Sequence, residues 1–232
     1  MTVRERAIDV LADLRPQPYG TGHPSNIVDP IVEPMWSGMR ILAAIDGSDV
    51  RMQDVDGDHV DERADVAEAL TRSIRADAAI IDGYLTKETA RDTVGVDPGL
   101  EEVPSMGRFM TQSFFGTRRN TTREVAKRVE QVERASQFRP EDEVAFVAAD
   151  LLWLDGEPLF DIPLLERKRV LETILVESEL IRLGVFVRLP IDPWVATWRA
   201  LGFVGLSFRA ANSRYHPGEP RKEWTTSWMP RR

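Results

Sequence analysis

The stretch Glu33-Pro34-Met35-Trp36-Ser37-Gly38-Met39-Arg40 runs straight into the apolar segment Ile41-Leu42-Ala43-Ala44-Ile45 and then into Asp46-Gly47. An apolar run closed by Asp-Gly and followed by the alternating Val50-Arg51-Met52 is the pattern of a β-hairpin, because such turns need residues that tolerate a positive φ. The eight residues that enter the hairpin hold an aromatic, a glycine and an arginine at fixed spacing. Met35 and Ser37, which flank the tryptophan, offer neither an amine nor a carboxylate.

Bulk properties narrow what such a chain can be. At 232 residues and 42% apolar it can bury an ordinary globular core. With 38 acidic against 30 basic residues the net charge is -8, which excludes a protein coated with positive charge for nucleic acid and leaves room for a local basic face. There is no cysteine, so disulfides, thiolate metal sites and cysteine nucleophiles are excluded, and His23, His59 and His216 are too scattered for a histidine-rich metal site. No metal and no cofactor is expected. No apolar run approaches the ~18 residues of a membrane span and the N-terminus has no apolar signal core, so a cytoplasmic protein without membrane contact is expected. Lysine occurs only at Lys87, Lys127, Lys168 and Lys222, which limits any lysine-dependent reaction to four candidates.

Along the chain, Val3, Ala7, Ile8, Val10, Leu11 and Leu14 predict an amphipathic helix over 3–14 that stops before Pro16, and 15–26 reads as a Pro/Gly/Asn-rich loop. Residues 54–68 are dominated by acid without the register of a calcium loop, so they read as a solvated face. Val66, Ala69, Leu70 and Ile74 predict a helix ending near Arg75, and 78–85 a buried strand. Residues 88–107 read as loop. A helix from Asn120 or Thr121 to about Ser136 follows, within a basic stretch that carries Arg118, Arg119, Arg123 and Arg128 interleaved with Phe109, Phe114 and Phe115. Arginines among aromatics suit base stacking and phosphate neutralisation, and they equally suit a solvated helix whose phenylalanines cover the core. Both readings stay open. A strand over 144–156 ends in Asp155-Gly156, and Pro163 opens a helix with Leu164, Leu165, Val170, Leu171 and Leu175 inward. Strands at 185–189 and 203–209 flank a short helix at 193–201, and residues after Tyr215 form a basic tail. The sum is one α+β domain over 1–232, with helices between mostly antiparallel strands and an inserted basic helical segment at about 86–140.

The order of these segments resembles the adenylation (nucleotidyltransferase) domain of ATP-dependent DNA ligases, over roughly residues 28–85 and 144–228. Met35-Trp36-Ser37-Gly38-Met39-Arg40 stands in the place of Lys-x-Asp-Gly-x-Arg, and Ile81-Asp82-Gly83-Tyr84 is similar to an Asp-Gly-Glu strand. Phe146 to Gly156 followed by Ile162 to Lys168 is similar to Phe-Asp-Leu-Leu-x-Leu-Asp-Gly and the Leu-Pro-Leu-x-Glu-Arg-Arg helix start. Gly202 to Arg209 resembles Gly-Phe-Glu-Gly-Val-Val-x-Lys, Tyr215-His216-Pro217-Gly218 resembles Tyr-x-Pro-Gly, and Trp224 to Trp228 lies where Trp-Leu-Lys-x-Lys is expected. The resemblance implies a ligase-type, ATP-grasp-like fold of antiparallel sheets flanked by helices. The chain ends just past the last motif, so the oligonucleotide-binding domain that follows in ligases is expected to be missing.

In the family, the lysine of the first motif attacks the α-phosphate of ATP and carries AMP, which needs an amine. Here that position is Met35. Ser37, Tyr84 and Val204 replace family carboxylates, Ala149 stands where an aromatic would stack on adenine, and Val55 replaces an arginine of the hairpin. Arg209, Thr226 and Trp228 replace lysines expected to contact phosphates, and only Arg209 keeps a charge able to do so. Trp36, Gly38, Arg40, Asp82, Gly83, Asp150, Gly205 and Arg209 retain the frame. None of Lys87, Lys127, Lys168 or Lys222 is expected to be placed as a substitute nucleophile. The resemblance with these departures implies a catalytically inactive, ligase-like binding or accessory module in DNA repair, with DNA or a repair protein as partner. Two alternatives remain: an active ligase or nucleotidyltransferase with an unorthodox site, and an oligomeric scaffold whose cleft, lined by Met35, Tyr84, Val204 and Trp228, is filled with apolar side chains.

Overall fold

Five apolar residues in a row give the hairpin strand no polar face, so it has to be covered on both sides, and the fold is built around that requirement. The computed structural model of the protein describes residues 5–87, 142 and 144–229. Strands β2 (Met39–Asp46) and β3 (Asp49–Gln53) form the hairpin; Asp46 pairs with Asp49, so the turn itself is Gly47-Ser48, with Gly47 at φ 62°. Strand β4 (Ala78–Thr86) runs antiparallel to β2, and β5 (Ala145–Leu154) antiparallel to β4. With the short β6 (Glu157–Pro158) the order is β3-β2-β4-β5-β6, and β7 (Ile181–Leu183) adds a parallel pairing to β5.

A second sheet of four strands has the order β10-β9-β1-β8, from β1 (Pro30–Pro34), β8 (Val187–Arg188), β9 (Gly205–Ala210) and β10 (Trp224–Trp228). Its pairings are all antiparallel. In the placement of strands, two segments differ from the sequence reading. The strand expected at 185–189 shrinks to two residues while β7 forms at 181–183, held by Phe146 N–H to Leu180 O and Gly184 N–H to Ala148 O. The supposed tail at 224–228 is an edge strand, with Trp224 fully buried.

Odd-numbered residues of β2 (Ile41, Ala43, Ile45) face one core cluster with Ile81, Phe146 and Leu151, completed by helix α2 (Ala64–Ser73) through Val66 and Leu70 and by helix α3 (Leu164–Ile174) through Leu171. Even-numbered Leu42 and Ala44 face a second cluster with helix α1 (Ala7–Asp13), Ile80, Leu152, Tyr215 and Trp224. Each fully buried aliphatic side chain of this kind contributes about 1.5–3 kcal/mol relative to exposure. Helix α1 is shorter than expected because Arg6 is extended (φ -83°, ψ 139°) and the helix begins only after it. The outer face of the four-stranded sheet packs Val32, Leu206 and Phe208 against helix α4 (Asp192–Ala200) and Trp36, which meets Phe203 edge-on with ring centroids 5.0 Å apart.

Among the described residues no helix is long and apolar enough to cross a membrane. The acidic stretch after the hairpin is turned by Asp54, whose Oδ1 accepts from the N–H groups of Asp56, Gly57 and Asp58. The basic helix expected between about 86 and 140, with Arg118, Arg119, Arg123 and Arg128, lies outside the described residues.

Candidate functional site

The even face of the larger sheet (Arg40, Asp82, Tyr84, Asp150) and the inner face of the smaller one (Glu33, Ser207, Arg209) face each other, with Arg209 3.5 Å from Asp150, at the place where the resemblance puts a cleft. Most positions singled out by the motifs gather there or at its rim. Pleating explains the smaller sheet: Glu33 pairs with Ser207 and Ile31 with Arg209 across β1 and β9, which puts Glu33, Ser207 and Arg209 on one face.

Met35 follows β1, with its N–H bonded to Gly205 O at 2.9 Å. Its thioether lies on Gly205: a Cβ built there would sit 3.2 Å from Met35 Cε and 3.3 Å from Sδ. The Met35 side chain is thus packed against β9, with Trp36 and Ser37 buried beside it. Gly38 passes so close to β4 that a Cβ would fall 1.9 Å from Leu85 O, which is why a residue without a side chain is needed there.

Arg40 forks onto Asp82, Nε to Oδ1 at 3.0 Å and Nη2 to Oδ2 at 2.6 Å, and donates from Nη1 to Gln17 O at 2.8 Å. Asp82 Oδ2 also accepts from Tyr215 Oη at 2.8 Å. Tyr84, in the place of a family glutamate, reaches Tyr19 from the 15–26 loop, hydroxyl to hydroxyl at 3.4 Å. Burial pushes the phenol groups of Tyr84 and Tyr215 well above their ordinary pKa, so both stay neutral hydrogen-bonding groups.

Deeper in the cleft is a second network. Asp150 is held by both ends of Arg167, at 2.8 and 2.7 Å, with donor and acceptor fully buried. Glu33, 4% exposed, takes Lys168 Nζ on one oxygen at 2.7 Å and Arg209 Nη2 on the other. Arg209 also approaches Asp150 Oδ2 at 3.5 Å, donates to Ala149 O at 3.2 Å, and lies over the Trp224 ring, Cζ 4.8 Å from its centre. Lys168 Nζ donates to the same carbonyl at 2.7 Å. Burial alone would raise the pKa of Glu33, but Arg209 and Lys168 outweigh it and hold the carboxylate below its usual range. Burial likewise works against Asp150, and Arg167, Arg209 and Lys168 overcome it. Lys168 itself is held below the ordinary lysine value by burial, with Glu33 opposing and Arg209 assisting.

Among the positions named from the sequence, Met35, Arg40, Asp82, Tyr84, Asp150, Gly205 and Arg209 come together. Thr226 on β10 is exposed, Trp228 is half-buried at the end of that strand, and Val204 precedes β9 with its carbonyl accepting from Met229 N–H. Arg209 corrects the sequence reading: the side chain expected to remain able to meet phosphate is 2% exposed and committed to carboxylates of its own chain. Lys168, not expected to be placed as a nucleophile, sits on α3 and reaches Glu33 and the Ala149 carbonyl between the sheets. The sequence reading missed Glu33, Arg167, Lys168, Tyr19 and Gln17 as cleft residues. The signal for two of them was present, since Arg167 and Lys168 fall on the inward stripe of α3 between Leu164 and Leu171. Among the described residues no group of three or more His, Cys, Asp or Glu side chains is gathered to hold a metal ion.

No protein-family model matches the chain. Two DNA ligases match a segment of it: that of Thermococcus onnurineus (strain NA1) at 35% identity and that of Thermococcus fumicolans at 37%, each over 79 residues. The match covers 32% of this chain and 14% of each relative. Among solved structures, the ligase domain of LigD from M. tuberculosis is similar over 93% of this chain and 59% of its own, with TM-score 0.58 and 21% identity. A mycobacterial DNA ligase D in complex with ATP and MES is similar over 93% of this chain and 60% of its own, with TM-score 0.59 and 23% identity. The chain thus spans about three-fifths of these ligase structures and a far smaller share of the ligases it matches in sequence. With its α+β build, its two sheets and the motif positions gathered between them, the chain has the fold of the adenylation, or nucleotidyltransferase, domain of ATP-dependent DNA ligases.

Proposed function

We propose that this is a ligase-like module without ligase chemistry, one adenylation-type domain with an inserted basic segment, which acts by binding a partner in DNA repair. The observation that carries the reading is the commitment of Arg209. A guanidinium bonded to Glu33, close to Asp150, laid over Trp224 and 2% exposed is shut off from solvent and held by its own chain, with only its buried Nε left without a partner. Met35 has no amine to attack phosphorus, and Tyr84 and Val204 supply no carboxylate for metal or sugar. These residues do not fit an ATP site.

DNA is proposed as the partner on two grounds of a different kind, the fold and the basic stretch with Arg118, Arg119, Arg123 and Arg128. The acidic net charge confines contact to such local patches. A cytoplasmic location belongs to the same proposal. Fluorescence anisotropy with nicked, single-stranded and blunt duplex DNA is expected to give binding that weakens steeply with salt, and no salt-sensitive binding to any of them would sink the nucleic-acid version. Incubation with labelled ATP and magnesium followed by denaturing electrophoresis is expected to give no covalent adduct, for the wild type and for Met35→Lys alike.

One observation favours the alternative of a working nucleotidyltransferase with an unorthodox site: Lys168 brings an amine into the cleft with its pKa held down. A labelled adduct in the wild type that disappears in Lys168→Arg would replace the first reading with this one.

A further inference from the structure

The loop after α1 does more than connect. Pro16 and Gln17 are buried, with Gln17 fully so, and Tyr19 and Gly20 are half-buried, although the composition of the stretch is that of a surface loop. Its backbone is tied to both sheets. On the side of the larger sheet, Arg40 Nη1 of β2 donates to Gln17 O at 2.8 Å and the Tyr19 hydroxyl meets that of Tyr84 on β4. On the side of the smaller sheet, Gly20 N–H donates to Trp224 O at 2.8 Å, Thr225 Oγ1 donates to Gly22 O at 2.6 Å, and Tyr19 bridges in parallel to Arg221. Below, Gln17 N–H donates to Tyr215 Oη at 3.0 Å and Gln17 Oε1 accepts from His216 N–H at 2.7 Å.

Two glycines make this docking possible. A Cβ on Gly20 would stand 2.4 Å from Arg221 O, and one on Gly22 would stand 2.9 Å from Lys222 O, both backbone atoms that cannot swing aside. The segment therefore lies against β10 as closely as backbone permits. The Tyr19 ring then sits between Arg40, whose Cζ is 5.7 Å from the ring centre, and Trp224, whose ring centre is 6.1 Å away. Its hydroxyl reaches that of Tyr84, which puts the ring beside the residues where the two sheets face each other.

We infer that residues 15–22 are an intramolecular strap whose Tyr19 occupies the mouth of the cleft and whose two-sided hydrogen bonding holds the sheets together. The inference deepens the inactive reading and rests on it in taking this cleft as the place a nucleotide would need. A domain of this fold that no longer closes on a ligand closes on a piece of itself, and entry to the cleft requires the strap to lift.

Native-state hydrogen exchange of the full chain, read by mass spectrometry, tests this. In the wild type the amides of 15–22 are expected to be protected together with those of 224–228. Gly20→Ala and Tyr19→Ala are expected to speed exchange in both segments and in 206–209 by about tenfold or more, because the opening that exposes them becomes a local event. Tyr19→Phe, which keeps the ring over Trp224 and loses only the hydroxyl contact, is expected to fall between, and it keeps the test valid should either of the other variants fail to fold. Val28→Ala, at a position 83% exposed just beyond the strap, is expected to match the wild type. Wild-type exchange in 15–22 at the rate of an unstructured peptide, or Tyr19 and Gly20 variants that leave 224–228 and 206–209 unchanged, would overturn the strap. The labelled-ATP assay fails independently: an adduct would sink the inactive reading and leave the exchange result standing.

Discussion

Glu33→Gln would leave Lys168 and Arg209 side by side without the carboxylate that both now share, while Asp150 remains engaged with Arg167. Removing one partner of a buried ion pair typically costs about 3–5 kcal/mol, because the remaining charge stays out of water uncompensated. Chemical denaturation is expected to show a loss of that order for Glu33→Gln. The same residue predicts a pH response. Glu33 and Asp150 both have folded pKa values below their usual range, so as pH falls below about 4 the unfolded chain takes up protons first. The stability they contribute is whole above that pH and is lost as pH drops through the folded values. Acid titration of unfolding is expected to show this loss, with a shallower slope in Glu33→Gln. Met35 is the residue-scale contrast, since a side chain lying on Gly205 has a packing role and no charge to lose.

Among the elements, the central strands are the least forgiving. A Cβ at Gly38 meets Leu85 O at 1.9 Å and one at Gly83 meets Val147 O at 2.4 Å, both contacts between strands of the larger sheet or the turn into it. Forcing atoms into such gaps costs about 1–3 kcal/mol or more, so Gly38→Ala is expected to lower the midpoint of thermal unfolding clearly, whereas Gly202→Ala, with open space around it, is limited to the strain of its φ of 95°. This is also the scale at which the sequence was most readable. The hairpin, β4, β5 and the helix after Pro163 carry long apolar runs or a strong stripe with clear stop signals, and all form where expected. Strand β7 was not readable because three residues show no alternation and its pairing is set by β5, some 35 residues earlier. The edge strand β10 was obscured by Pro220 and by two tryptophans that suggested a tail.

At the scale of the whole molecule, the motif positions announced where the cleft would be, and the resemblance that rested on them gave the fold. They did not announce what fills it. Glu33 and Lys168 are 135 positions apart, Arg209 and Glu33 are 176, and no local pattern marks a side chain by the partner it meets at that distance. Tyr19 was hidden for a related reason: Pro, Gly and Asn on either side of it read as solvent-exposed turns, and its burial arises only when both sheets are in place. The ionic network of Glu33, Asp150, Arg167, Lys168 and Arg209 lies between the sheets, with Tyr19 and Tyr84 beside it.

The strand order β10-β9-β1-β8 has a consequence for how this chain assembles. Strand β1 is flanked on both sides by strands from the C-terminal part of the sequence, pairing Ile31 with Arg188 on one edge and with Arg209 on the other. A growing chain can zip the β2–β3 hairpin and add β4 beside β2 early, from contacts close in sequence, but β1 has no neighbour to pair with until the later strands have been made. Through that interval Glu33 and its strand remain unpaired, waiting for distant segments to close a long loop. The smaller sheet, and with it the docked loop 15–22, is therefore expected to be the part of the molecule that forms last.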